Sequence, residues 1–116
     1  MTDREEVLRK ARELGKSLKE SEEYRELVDA QKALDEDQET QQMLQEYEAK
    51  RNEVQIKQMM GQNADEELRE LTDLEGKIMQ KETMQRYTKA EENFRNLVDE
   101  ANQEIVKAME EGEEEE

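Results

Sequence analysis

The sequence predicts an all-α fold: a helical bundle with two shorter N-terminal helices, a long antiparallel helical hairpin and a long C-terminal helix, self-associating through helix faces. Three observations predict it. No Pro interrupts 116 residues, so nothing in the chain obliges a helix to break or kink. Apolar residues return every three or four positions along most of the chain, the period of one helix face. They amount to only 32% against 45% charged residues, which suits stripes one or two residues wide rather than a thick core. The aromatic residues are Tyr24, Tyr47, Tyr87 and Phe94, so burial rests on Leu, Ile, Val, Met and Ala. High charge also marks disordered chains, but those lack regular apolar spacing and carry Pro. The length suits one all-helical domain, expected over residues 1–111, followed by a low-complexity acidic tail, 112–116, expected to be disordered.

Each element has its own signals. Thr2 followed by Glu5 reads as a capping box that opens the first helix. That helix runs to about Lys19, with Val7, Leu8, Ala11, Leu14 and Leu18 on one face. Ser21 is the expected cap of the second helix, whose inner face carries Tyr24, Leu27, Val28, Gln31 and Leu34 and which ends near Asp35, Glu36 and Asp37. Asp37 is the expected cap of the third, Gln38 to Met60, about 35 Å long at the standard rise. Its stripe is Met43, Leu44, Tyr47, Val54 and Gln58, interrupted by Lys50 and Arg51. Gly61 suits the left-handed position that closes a helix, and Asn63 with Glu66 the opening of the next. So short a connection implies an antiparallel hairpin. The fourth helix bears Leu68, Leu71, Leu74 or Glu75, Ile78 and Met79. Thr83 is the expected cap of the last helix, where Met84, Tyr87, Glu91, Phe94, Val98, Ala101, Ile105 and Ala108 alternate steps of three and four. This heptad seam has one polar member, Glu91. Tyr87, Phe94, Val98 and Ile105 are the expected self-association seam.

Composition excludes a good deal. With no His and no Cys, the chain has no disulfide, iron–sulfur or zinc-thiolate option and lacks the His that completes a di-iron or di-manganese half-site. No cofactor, metal or catalytic residue is expected, and chance pairs among 34 acidic residues say nothing about acid–base chemistry. A net charge of −16 opposes direct binding to a phosphate backbone and to anionic lipid. It mainly means solubility, and it also suits attraction to a basic partner or a saline habitat. Strongly apolar residues never run beyond two in succession, so no membrane span or signal peptide is expected, and a cytoplasmic location is. Lys50 and Arg51 read as a solvated face or as a patch for an acidic partner, the chain's own tail included. Adjacent Met59 and Met60, at the hairpin tip, cannot both face one core. With Leu68 they are the candidate partner-binding residues, since Met repacks against varied surfaces.

The run Leu14, Leu18, Ser21, Glu23, Tyr24, Leu27, then Ala30, Ala33, Leu34, Asp35 and Asp37, resembles the YlbF/YmcA and YheA-like bacterial family. Gln45, Glu46 and Tyr47 through Gln58 and Gly61 resemble its Gln-rich helix and turn, and Ile78 through Val98, with Tyr87, Ala90, Glu91, Phe94 and Leu97, its terminal helix. The resemblance implies a small helical protein that self-associates and regulates without catalysis. Characterised members influence competence, sporulation and biofilm formation and are linked to RNA processing through the endoribonuclease RNase Y. The cysteines associated with iron–sulfur binding there have no counterpart here, so a cluster role is not carried over. The expected function is thus a non-catalytic cytoplasmic adaptor or regulator that binds itself and other proteins. The alternative is a structural or chaperone-like protein that holds clients on its hairpin tip; a carboxylate enzyme using a divalent ion would need inward-facing Glu clusters.

Overall fold

The computed structural model describes residues 3–114, and side chains as far as Glu111. Five helices account for it: α1 (Arg4–Lys19), α2 (Glu22–Glu36), α3 (Gln38–Met59), α4 (Asp65–Met79) and α5 (Glu82–Glu114), with no strand among the described residues. The all-α reading holds. Helix α5 continues through Gly112 to Glu114, and residues 115 and 116 of the expected tail lie outside the described residues.

Helix boundaries follow local chemistry. The cap of α1 is Asp3, whose carboxylate accepts the Glu6 N–H at 2.9 Å; the expected partner Thr2 lies outside the described residues. Ser21 both closes α1 and opens α2: its hydroxyl donates to the Leu18 carbonyl at 2.6 Å and accepts the Tyr24 N–H at 3.1 Å. Asp37 caps α3 as expected, taking the Thr40 N–H at 3.2 Å. Gly61 sits at φ +70°, and the Gln62 and Gly61 amides donate back to the Lys57 and Gln58 carbonyls at 2.8 and 3.1 Å. This is a Schellman closure, which places its left-handed residue where only Gly adopts it without cost.

Two expected caps are corrected. Asn63 makes no box with Glu66; its side-chain oxygen accepts the Asp65 N–H at 2.8 Å, a tight side-chain turn of the kind Asn favours. The N-cap is Ala64, which has no side-chain cap bond and is buried. Burial of that methyl group, rather than a polar cap, fixes where the chain enters α4, and the connection runs over 60–64 rather than three residues. Thr83 lies inside the first turn of α5, because the Lys81 carbonyl already accepts the Gln85 N–H at 3.0 Å.

The chain divides into two compact units. One is formed by Ala30–Thr88: the end of α2, the α3–α4 hairpin and the first turns of α5. It contains the buried residues Ala30, Leu34, Thr40, Val54, Ala64 and Ile78. The other holds α1, α2 up to Asp29 and α5 from Lys89 onward. Here Ala90 is buried, and the Tyr24 and Phe94 rings meet at 5.3 Å between centroids and 60° between planes, a favourable tilted geometry.

Several inner faces differ from expectation. Val28 is exposed and Ala30 takes the buried place on α2. Gln58 is exposed while Val54 is buried, and Leu74 rather than Glu75 is turned inward. Met79 is exposed beside buried Ile78, as adjacent helical residues must diverge. Helix α1 buries none of its residues, and Val7 is 55% exposed.

Candidate functional site

Ion pairs set the register of the α3–α4 hairpin. Lys50 bonds Glu70 and Lys57 bonds Glu67. The partner number falls as the α3 number rises, so the arms are antiparallel. The hydrogen bond from Lys57 holds the Glu67 carboxyl below its ordinary value, and the same bond holds the Lys57 ammonium above its own. Glu70 raises Lys50 in the same way. Lys50 therefore belongs to the hairpin, while Arg51 pairs with Glu48 along α3 at 3.3 Å.

At the other end of the hairpin, three helices converge on Asp37. One carboxylate oxygen accepts the Thr40 N–H; the other accepts the Thr40 and Thr83 hydroxyls, each at 2.7 Å. The Thr40 and Thr83 hydroxyls, in that order, then the Thr40 amide, hold the Asp37 carboxyl below its ordinary value. Thr40 is fully buried, which its bonded hydroxyl permits. Lys81 pairs with Glu39 at 2.7 Å, and Gln41 donates to the Leu34 carbonyl at 3.0 Å. Thus α3 is tied to the end of α2 and to the start of α5. The bond between Asp37 and Thr83 carried no sequence signal, since the two residues stand 46 positions apart.

With its base and arms fixed, the hairpin presents its tip. Met59 is 86% and Met60 67% exposed, which exceeds the sequence expectation that one of the pair would be exposed. Ile56 is exposed too and went unnoticed, although it precedes Met59 and Met60 by three and four positions and so shares their side of α3. Leu68 is partly exposed on α4, in a shallow depression lined with Arg69, Thr72 and Asp73. Those four residues come from one helix, so the depression is a surface dimple rather than a cleft.

The expected seam on α5 is graded. Tyr87, Phe94 and Val98 are half-buried, and Ile105 is exposed. Glu91 is exposed and pairs with Arg95 at 3.8 Å, the behaviour of a rim residue. Among the described residues no group of three or more acidic side chains is placed to hold a metal ion. No described helix is long and apolar enough to cross a membrane.

Fold and surface together define a class: an all-helical protein whose notable features are apolar side chains offered on helix faces. Residues 7–110 match the family described as control of competence regulator ComK, YlbF/YmcA, and the chain belongs to that family. No curated protein and no solved structure matches it.

Proposed function

We propose that this chain is a non-catalytic regulator that works by binding other proteins, and that the hairpin tip is where it binds them. The observation that supports the reading is the exposure of Ile56, Met59 and Met60 on an arm whose geometry is otherwise fixed by Lys57–Glu67 and the Gly61 closure. Large apolar side chains in a cluster on a rigid support have a cost in water that a partner removes. Methionine adapts its shape to that partner. Membership of the YlbF/YmcA family directs the reading toward control of competence, and the absence of His and Cys directs it away from catalysis.

The same exposure favours a second reading, in which the tip holds unfolded clients as a chaperone-like surface. Stoichiometry separates them. Purification of tagged protein from its native cell, with a Met59→Asp, Met60→Asp variant alongside, is expected to retain one partner at fixed ratio with the wild type and to lose it with the variant. Many unrelated proteins at variable ratio would favour client holding. Recovery of the chain alone would overturn both readings of the tip.

A further inference from the structure

The apolar patch at the hairpin tip is mostly thioether. The chain has seven Met and no Cys, so thioethers are its only sulfur groups open to oxidation. Met59 and Met60 are adjacent and are the most exposed Met among the described residues. Met79 is exposed at the far end of α4 and Met109 on α5, while Met43 and Met84 are half-buried. Of the three apolar side chains at the tip, Met59 and Met60 become polar on taking up one oxygen. Ile56 has no such chemistry.

The arm that carries the two sulfurs does not depend on them. Backbone groups make the closure: the Gln62 and Gly61 amides donate to the Lys57 and Gln58 carbonyls, and the Met60 N–H donates to the Ile56 carbonyl at 3.1 Å. The Lys57–Glu67 pair fixes the register beside them. Neither side chain fills a core, so an added oxygen changes the surface and leaves its support in place. At Met43 or Met84 the same oxygen would set a polar group against packed neighbours, at a cost in stability.

We propose that Met59 and Met60 are a reversible oxidation site through which a peroxide releases the partner of the hairpin tip. The proposal rests on the reading of the tip as a binding surface. In each step a sulfur lone pair attacks one oxygen of hydrogen peroxide. An S–O bond forms, the O–O bond breaks, and the departing hydroxide takes the proton of the transferred hydroxyl and leaves as water. Sulfur is oxidised and the peroxide is reduced. The sulfoxide oxygen accepts hydrogen bonds that water supplies and an apolar groove does not, so the patch shrinks to Ile56. Reversal needs a reductase that turns thiols into a disulfide and releases the oxygen as water. Those thiols come from another protein, since this chain has none.

Oxidation mapping and capture test it together. The full chain is treated with hydrogen peroxide, the peroxide is removed with catalase, and the sites are read by peptide mass spectrometry. Met59 and Met60 are expected to oxidise several-fold faster than Met43 and Met84, with helix content unchanged. The immobilised chain, untreated or oxidised, then meets native-cell extract beside Met59→Leu, Met60→Leu, which keeps an apolar patch without the thioethers. Untreated wild type, and the Leu variant with or without peroxide, are expected to retain one protein at fixed ratio. Oxidised wild type is expected to retain about tenfold less of it, and to recover after methionine sulfoxide reductases for both epimers with dithiothreitol. Met79 and Met109 remain in the Leu variant, so that comparison isolates the tip. Full retention by oxidised wild type, loss from the Leu variant on oxidation, or equal rates at Met59, Met60, Met43 and Met84 would overturn the switch and leave the binding reading standing. Retention by Met59→Asp, Met60→Asp, or none by untreated wild type, would overturn the binding reading and the switch with it.

Discussion

The hairpin unit, Ala30–Thr88, and the unit that holds α1 and the later part of α5 come from the same kind of sequence, Glu-rich with thin apolar stripes, and are held together differently. In the hairpin unit the stripes are covered within the chain, by Leu34, Val54 and Ile78, and polar bonds pin the helices at Asp37, Lys50 and Lys57. In the other unit α1 has a stripe of equal quality and buries none of it. Amphipathic patterning, then, states that a face will be covered and leaves open whether the cover is the same chain.

The largest expected effect sharpens this contrast. Leu34→Ala or Ile78→Ala should cost about 2–5 kcal/mol, read as a fall in the urea midpoint, because each leaves a cavity in a covered core. Leu8→Ala, made at a position already about half exposed, should cost less than about 1 kcal/mol in dilute protein. Equal losses would break the comparison.

A smaller loss is expected for Thr83→Val, which removes one of the two hydroxyls bound to Asp37. The Asp37 carboxyl is held below its ordinary value of 3.8, so its contribution to stability is present in full above that pH and is lost as the pH falls through the lower folded value. Urea unfolding followed from pH 5 downward should therefore show less acid dependence in Thr83→Val than in the wild type. An unchanged acid limb would show that Asp37 does not bind the helices together.

The smallest pair concerns glycine. Gly61→Ala should destabilise by about 1 kcal/mol, since Ala must adopt φ +70° in the closure. Gly76→Ala in α4, where a Cβ meets nothing within 4 Å, should stabilise by about 0.5–1 kcal/mol. Thermal midpoints moving in the same direction would show that the tip turn is not under the constraint described.

Much of the fold is legible in the sequence because local chemistry sets it. Ser21, Asp37 and Gly61 act within a few residues of themselves, and the three–four spacing marks every helix. The caps at Asn63 and Thr83 fall elsewhere for local reasons: Asn63 gives its oxygen to the Asp65 amide two residues on, and the Lys81–Gln85 bond starts α5 before Thr83, whose hydroxyl goes to Asp37 instead. The hydroxyl pair on Asp37 and the Lys57–Glu67 bond join residues whose meeting depends on how the arms fold, and no periodicity announces them. At the tip, Met59 and Met60 could be singled out because neighbours on a helix diverge. That argument does not reach Ile56, whose neighbours Gln55 and Lys57 are polar; its signal is the spacing of three and four to Met59 and Met60.

Hydrogen exchange of the full chain, followed by mass spectrometry over a range of protein concentrations, tests the central claim most directly. Protection of α3 and α4 should be strong at every concentration, whereas α1 should exchange fast wherever sedimentation shows only monomer. Strong protection of α1 at concentrations where sedimentation shows only monomer would contradict the account, because it would mean that α1 finds its cover within the chain.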